Sequence, residues 1–179
     1  DMVKRVGAMA QIFLIMILCS LQLFGTTSNA LAENIPIKLS ITTMQTPVMQ
    51  ILGPNGVRGA ALAKLSDTKL LVGGGADGSK LFLYDLLSKQ EQLIGRVIPA
   101  NERINDSRFS IIDIAVLSQV KSKATLLISY PIYKKSNKCV VVNLAAYELT
   151  LTDKPTLSKI KNWFTSKPCV PISAVHHAA

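Results

Sequence analysis

The architecture is set by one stretch of the sequence, Lys69-Leu-Leu-Val-Gly-Gly-Gly-Ala-Asp-Gly-Ser-Lys-Leu-Phe-Leu-Tyr84. Two apolar runs flank a turn cluster from Gly73 to Gly78, an arrangement that is typical of a β-hairpin. The turn also matches the G-x-G-x-x-G pattern of dinucleotide-binding proteins, in which a strand precedes the glycines and a helix follows them. Here a second strand-like run begins at Leu81. The pattern therefore indicates a hairpin turn and not a phosphate-binding loop.

Further strand-like runs follow this hairpin. They are Leu93–Ile98, Ile111–Leu117, Thr125–Tyr130 and Cys139–Tyr147, with a polar turn predicted from Pro131 to Lys138 and a faint helical or irregular character at Thr156–Phe164. The runs that begin at Lys69 and Thr125 lie 56 residues apart, which fits a propeller blade of about 40–50 residues with a loop insertion. Because the runs are almost continuously apolar, we expect strands buried on both faces. The predicted class is all-β, as a partial β-propeller, with a β-sandwich as the alternative.

The N-terminal residues have the order of a secretory signal peptide. Lys4 and Arg5 precede an apolar core over residues 12–21, and a small-residue Ala-Leu-Ala triplet ends at Ala32. The core is about ten residues long, shorter than the roughly 20 that cross a bilayer. We expect cleavage after Ala32, a secreted or periplasmic mature chain over residues 33–179, and no stable membrane anchor after cleavage.

Composition and charge narrow the classes of partner. The chain has 179 residues, of which 49% are apolar, with 20 Lys+Arg against 11 Asp+Glu and a formal charge of +9. This chain is too apolar to be disordered. The basic residues are scattered in small groups without an aromatic-interleaved groove motif. We therefore expect a solvated basic surface and no nucleic-acid partner.

Signal-peptide cleavage would leave two cysteines, Cys139 and Cys169. An exported protein reaches a compartment that permits disulfides, so we predict that the two are linked, with two buried free thiols as the alternative. The sequence contains no CxxC or HxxxH spacing. We therefore predict no metal site from cysteine and histidine residues.

Three segments carry a family resemblance. They are Leu70-Leu-Val72 with its Gly/Asp turn, Asp106-Ser-Arg-Phe-Ser-Ile-Ile-Asp-Ile-Ala115, and Leu126-Leu-Ile-Ser-Tyr-Pro131. In this order they resemble the soluble pyrroloquinoline-quinone (PQQ) sugar dehydrogenases, also called the glucose/sorbosone dehydrogenase family, which are secreted six-bladed β-propellers. Ser110-Ile-Ile-Asp-Ile-Ala115 stands for that family's G-L-L-D-x-A strand, and Leu127-Ile-Ser-Tyr130 stands for its Y-L-x-Y strand. His177-Ala-Ala179 begins the family's H-x-x-G-R pattern.

The resemblance implies roles for three residues. His177 is implied as the catalytic general base, which takes the sugar hydroxyl proton while hydride passes to PQQ. Arg108 falls near a glutamine that positions the sugar in some members, and His176 stands where some members have an aspartate, so both are implied as substrate-binding. Taken by themselves, two histidines in a chain tail are more often without function.

The resemblance also implies cofactors, partners and extent. The cofactors are PQQ and calcium, and the partners are a small-molecule sugar and an external electron acceptor. Because a blade takes about 40–50 residues, residues 33–179 are expected to supply about three blades, as an N-terminal part that is inactive by itself. The alternative function is a non-catalytic secreted propeller or sandwich that binds a glycan or a protein.

Overall fold

A computed structural model describes residues 46–53 and 56–174. In chain order the strands are β1 (Gln50–Gly53), β2 (Gly56–Gly59), β3 (Ala61–Lys64), β4 (Lys69–Gly74), β5 (Lys80–Asp85), β6 (Glu91–Arg96), β7 (Asp113–Val120), β8 (Lys123–Lys134), β9 (Cys139–Thr150), β10 (Thr156–Thr165) and β11 (Val170–Pro171). Within the described residues the helical elements are three short 3-10 turns, Pro47–Met49, Ala100–Glu102 and Ile172–Ala174. The all-β class is confirmed. The predicted signal peptide, residues 1–32, lies outside the described residues.

Most strands belong to two antiparallel sheets, each of which follows the chain as a meander. The first sheet has the order β3-β4-β5-β6, and the second has the order β7-β8-β9-β10, with β11 paired to β9; β1 and β2 form a separate hairpin. The hairpin predicted around the glycine cluster is confirmed, since β4 pairs with β5 and Leu71 lies opposite Leu83. Its turn contains Gly75 at φ 79° and Gly78 at φ 67°, which explains the glycines there.

The two sheets pack face to face around one core. The first sheet contributes residues such as Leu71 and Leu81, and the second contributes Leu126, Ile128 and Leu149, all fully buried. The strands stack in the same order, because β3 lies against β7 and β6 lies against β10. The connection over residues 97–112 therefore runs from the last strand of the first sheet back to the edge above its first strand. This connection is itself anchored in the core by Ile98 and Ile111.

The outer faces of the two sheets differ. The segment before β1 covers the outer face of the first sheet, where Val48 packs with Val72 and Tyr84. On the outer face of the second sheet, Val142 is 36% exposed and Phe164 is 57% exposed. Phe164 lies opposite Leu144 in the register. The second sheet thus presents an apolar outer face that the described residues leave partly uncovered.

Three local expectations were wrong in detail. Thr156–Phe164, expected to be helical or irregular, forms the strand β10, because it pairs with β9 through two β-bulges. Pro131 lies inside β8 and not in the predicted turn, which the structure confines to residues 135–138. Burial on both faces holds for the core of β4 but not for β10, most of whose residues are exposed because it is an edge strand.

Among residues 46–53 and 56–174, no helix has the length and apolar character needed to cross a membrane.

Candidate functional site

Four connections meet at one end of the stacked sheets, which we call the loop end. They are the β4–β5 turn (75–79), the β6–β7 connection (97–112), the β8–β9 turn (135–138) and the β10–β11 connection (166–169). Direct contacts join the first two, since the Ile111 N–H donates to the Gly78 carbonyl at 2.8 Å. The remaining two are joined through the Cys139–Cys169 disulfide. The loop end therefore gathers segments that are far apart in sequence.

An aspartate network organises the β4–β5 turn. The Asp77 carboxylate accepts the Ser79 N–H at 3.0 Å and the Ser79 hydroxyl at 2.6 Å, and its other oxygen accepts from Arg96 Nη1 at 3.1 Å. Arg103 Nη2 donates to the Asp77 backbone carbonyl at 3.0 Å. Two arginines from later in the chain are thus fixed onto this turn. Burial acts to raise the pKa of the Asp77 carboxyl, but the hydrogen bonds from Ser79 and Arg96 outweigh it and hold that pKa below its ordinary value of 3.8.

Asp77→Asn should destabilise the protein by about 1–2 kcal/mol near pH 7, because it weakens charge-assisted hydrogen bonds. Since the folded-state pKa is depressed, the stabilising contribution is complete above the unfolded-state pKa and is lost as pH falls through the folded-state pKa. The stability difference between wild type and variant should therefore shrink below about pH 4. Urea unfolding at a series of pH values measures it. Asp67→Asn is the matched control, because the Asp67 side chain is 93% exposed, and it should change stability little.

Two further buried polar atoms lie near the same connections. The Nε of Arg103 and the hydroxyl of Ser110 have no hydrogen-bond partner among the described residues. Ser110 is itself 1% exposed and abuts Gly78. Buried donors of this kind normally bond to an ordered water or to a ligand. The β6–β7 connection therefore has two buried donors at the loop end that are available to a water molecule or a ligand.

Arg108, predicted to bind substrate, lies in this connection beside a buried carboxylate. Its Nε donates to the two oxygens of Asp106 at 3.1 and 3.0 Å, and its Nη2 donates to one of them at 2.7 Å. The hydrogen bond from Arg108 to Asp106 raises the pKa of the guanidinium, which stays charged. Asp106 is 6% exposed. This bidentate pair fixes the direction of the arginine side chain.

A row of residues crosses the second sheet at the loop end. The Phe109 ring meets the Tyr133 ring edge-on, with centroids 6.2 Å apart. Tyr133 pairs with Val140, and Val140 pairs with Val170 of β11. The loop that carries Arg108 and the strand that precedes the histidine pair therefore lie at the same end of one sheet. His176 and His177 themselves lie outside the described residues.

The predicted disulfide is confirmed. Cys139 and Cys169 are bonded, with Cα atoms 5.6 Å apart and a sequence separation of 30. Cys139 is the first residue of β9, and Cys169 immediately precedes β11. The disulfide therefore fixes the position of the segment that immediately precedes residues 175–179. A largely buried disulfide of this kind fits an extracellular protein.

A second polar group, which sequence reasoning missed, lies within the second sheet. Tyr130 is buried, and its hydroxyl accepts from Lys159 Nζ at 3.0 Å and from the Tyr147 hydroxyl at 3.1 Å. Burial, together with the bond to Tyr130, raises the pKa of Tyr147 far above its usual range. The Tyr147 hydroxyl therefore stays protonated and donates to Tyr130. Lys159, from the edge strand β10, also places its Nζ over the Tyr130 ring, 5.8 Å from the ring centroid.

The described residues contain no group of three or more His, Cys, Asp or Glu side chains placed to hold a metal ion. Comparisons with protein-family models, with curated proteins and with solved structures find no match.

Proposed function

We propose that the two four-stranded meanders, β3–β6 and β7–β10, are consecutive blades of a β-propeller. The stacking order supports this reading. If a single meander folded over on itself, the consecutive strands β6 and β7 would lie against each other at one edge of the sandwich. Here β7 returns to lie against β3, as radial repetition of blades requires. The connection over residues 97–112 is then the link between blades.

The outer face of the second sheet also supports the proposal. Solvent-facing strands of an antiparallel sheet usually alternate apolar with polar residues. This outer face instead carries the apolar side chains of Val142 and Phe164, both exposed. A further blade would cover them. A closed ring takes about four to eight blades, so other blades complete the ring in this proposal.

We further propose that the chain belongs to an exported quinoprotein that oxidises a sugar hydroxyl by hydride transfer to PQQ. The observation that carries this proposal is the row of contacts from Phe109 through Tyr133 and Val140 to Val170. It brings the Arg108 loop to the same end of the second sheet as the strand that precedes His176 and His177. In the proposed reaction His177 takes the hydroxyl proton, while Arg108 and His176 contact the sugar. PQQ supplies the electron sink, and by the family resemblance most of the PQQ and calcium contacts lie outside residues 46–174.

The test uses the full-length protein, loaded with PQQ and Ca²⁺. Sugar-dependent reduction of an artificial dye is expected. His177→Ala should lower kcat by about 10²–10⁴-fold, because a general base contributes roughly that much. His176→Ala should mainly raise KM. Ser122→Ala, in the exposed β7–β8 turn at the opposite end of the sheets, is the control and should leave both constants unchanged.

Failure of wild type to reduce the dye with any common aldose would overturn the enzyme proposal. Binding of a glycan or protein without oxidation would then favour the non-catalytic alternative. An unchanged kcat in the His177→Ala variant would show that His177 is not the general base, even if wild type oxidises the sugar.

A further inference from the structure

Charge is distributed unequally between the two ends of the stacked sheets. The loop end has eight basic residues, Lys80, Arg96, Arg103, Arg108, Lys134, Lys135, Lys138 and Lys167, and four acidic ones, Asp77, Glu102, Asp106 and Asp113. The opposite end has six basic residues, Lys64, Lys69, Lys89, Lys121, Lys123 and Lys154, and five acidic ones, Asp67, Asp85, Glu91, Glu148 and Asp153. The net charge of these groups is thus +4 at the loop end and +1 at the other, while Lys159 and Lys161 lie along β10 between the two ends. The loop end is the more basic of the two.

Four of the loop-end lysines form a cluster around the disulfide, which we call the lysine cluster: Lys134, Lys135, Lys138 and Lys167. All four are exposed, and within the described part of the chain none of them forms an ion pair. Acidic residues are also absent from the sequence over 114–147 and over 154–174. At the opposite end, by contrast, lysines are neutralised, as Lys64 is by Asp67 at 2.6 Å and Lys123 by Glu148 at 2.9 Å. The cluster is therefore an uncompensated basic surface.

The backbone under this cluster is held in place. Lys134 is the last residue of β8 and pairs with Cys139, while Lys167 lies two residues before Cys169. The Ser166 N–H also donates to the Val142 carbonyl at 2.9 Å. The two turns that carry these lysines are thus joined by a disulfide and by hydrogen bonds. The backbone positions of the four charged residues are therefore fixed relative to one another.

We propose that the lysine cluster is the docking site of an acidic protein that accepts electrons one at a time. This inference rests on the proposed oxidation, which needs an external acceptor. Charge complementarity requires a negatively charged partner, and a patch of one sign speeds encounter with such a partner. The β8–β9 turn itself consists of lysine, serine and asparagine, while the exposed aromatic side chains of Trp163 and Phe164 lie at the end of β10, just before the other turn. Basic residues beside exposed aromatic ones suit a partner protein whose acidic residues flank an apolar patch.

The electrons balance with two encounters for each sugar. Oxidation of one hydroxyl to a carbonyl breaks a C–H and an O–H bond and releases two electrons and two protons. The protons pass to solvent. Two molecules of the acceptor are each reduced by one electron, so the acceptor must leave and be replaced once in each turnover. Fast, weak, charge-steered association suits that requirement.

The experiment compares acceptors and charge-reversed variants of the PQQ-loaded full-length protein. The acceptors are an uncharged dye, an acidic c-type cytochrome and a basic c-type cytochrome of similar potential. In the cluster variant, Lys134, Lys135 and Lys167 are each replaced by Glu; in the control variant, Lys89, Lys121 and Lys154 at the opposite end are each replaced by Glu. For the acidic cytochrome we expect the cluster variant to lose about tenfold or more in kcat/KM at low salt. The control variant should lose less than about twofold, and high salt should erase the difference.

The outcomes distinguish the docking-site proposal from the sugar-oxidation proposal on which it rests. With the dye, wild type and both variants should have equal rates. Absence of dye reduction in wild type removes the proposed oxidation. Normal dye reduction with no preference for the acidic cytochrome, or an equal loss in the control variant, overturns the docking site alone. Binding of wild type, but not of the cluster variant, to phosphatidylglycerol vesicles, without any cytochrome effect, would overturn it in favour of a lipid surface.

Discussion

Gly78→Val should destabilise the protein by about 3–5 kcal/mol, and two independent costs combine in that figure. Gly78 has φ 67°, a region that costs an L-residue roughly 1–2 kcal/mol and a β-branched one more. A Cβ at this position would also clash with the Cβ of Ser110 and lie 3.0 Å from the Ser110 Cα and 3.1 Å from Ile51. Because Ser110 and Ile51 are buried, neither can move aside cheaply.

Urea unfolding followed by tryptophan fluorescence or circular dichroism measures the loss. Gly59→Val is the matched control, since a Cβ at Gly59 would meet nothing within 4 Å among the described residues. Valine also suits a strand, so the control should change stability by less than about 0.5 kcal/mol. Equal stabilities for the Gly78 and Gly59 variants would contradict the tight contact between the β4–β5 turn and the β6–β7 connection.

The sequence predicted those strands and turns whose residues form a recognisable pattern within a few positions of one another. The apolar runs around Gly73 to Gly78 identified β4 and β5, because a turn with two positive φ values needs glycine and the flanking residues suit a strand. β10 was missed for a physical reason. Its bulges at Ile160 and Trp163 break the period of two by which a strand is recognised, and its lysines and asparagine have low strand preference. Pairing with β9 overrides both.

Of the contacts in the candidate site, some were likewise predictable from the sequence and others were not. The disulfide was predictable because few cysteines were available to pair. The Asp77–Arg96 contact was not, because it depends on the pairing of β5 with β6, which places Lys80 opposite Arg96. Arg103 reaches the same turn through a connection with no regular pattern. The stacking order of the two sheets likewise could not be predicted from the sequence, since strand periodicity does not indicate which strand of one sheet packs against which strand of the other.

Removing the disulfide should cost about 3–4 kcal/mol, because the bond closes a loop with a sequence separation of 30, and loop entropy predicts roughly that loss. In Cys139→Ser/Cys169→Ser the midpoint of thermal unfolding should fall by about 7–14 °C for a protein of this size. The β11 segment should be affected most. It pairs with β9 through Val170 and Pro171 alone, so amide exchange over residues 166–174 should accelerate more than exchange in β8.

Reductant supplies the control that separates the bond from the cysteine side chains. Wild type treated with reductant should unfold near the temperature of the double variant, and the double variant itself should not respond to reductant. Without reductant, neither cysteine of the folded wild type should be alkylated. Alkylation of both under that condition would refute the bond. A wild type whose stability is indifferent to reduction would show instead that the β10–β11 connection is held by noncovalent contacts such as the Ser166–Val142 hydrogen bonds. The lysine cluster would then keep its arrangement without the covalent link.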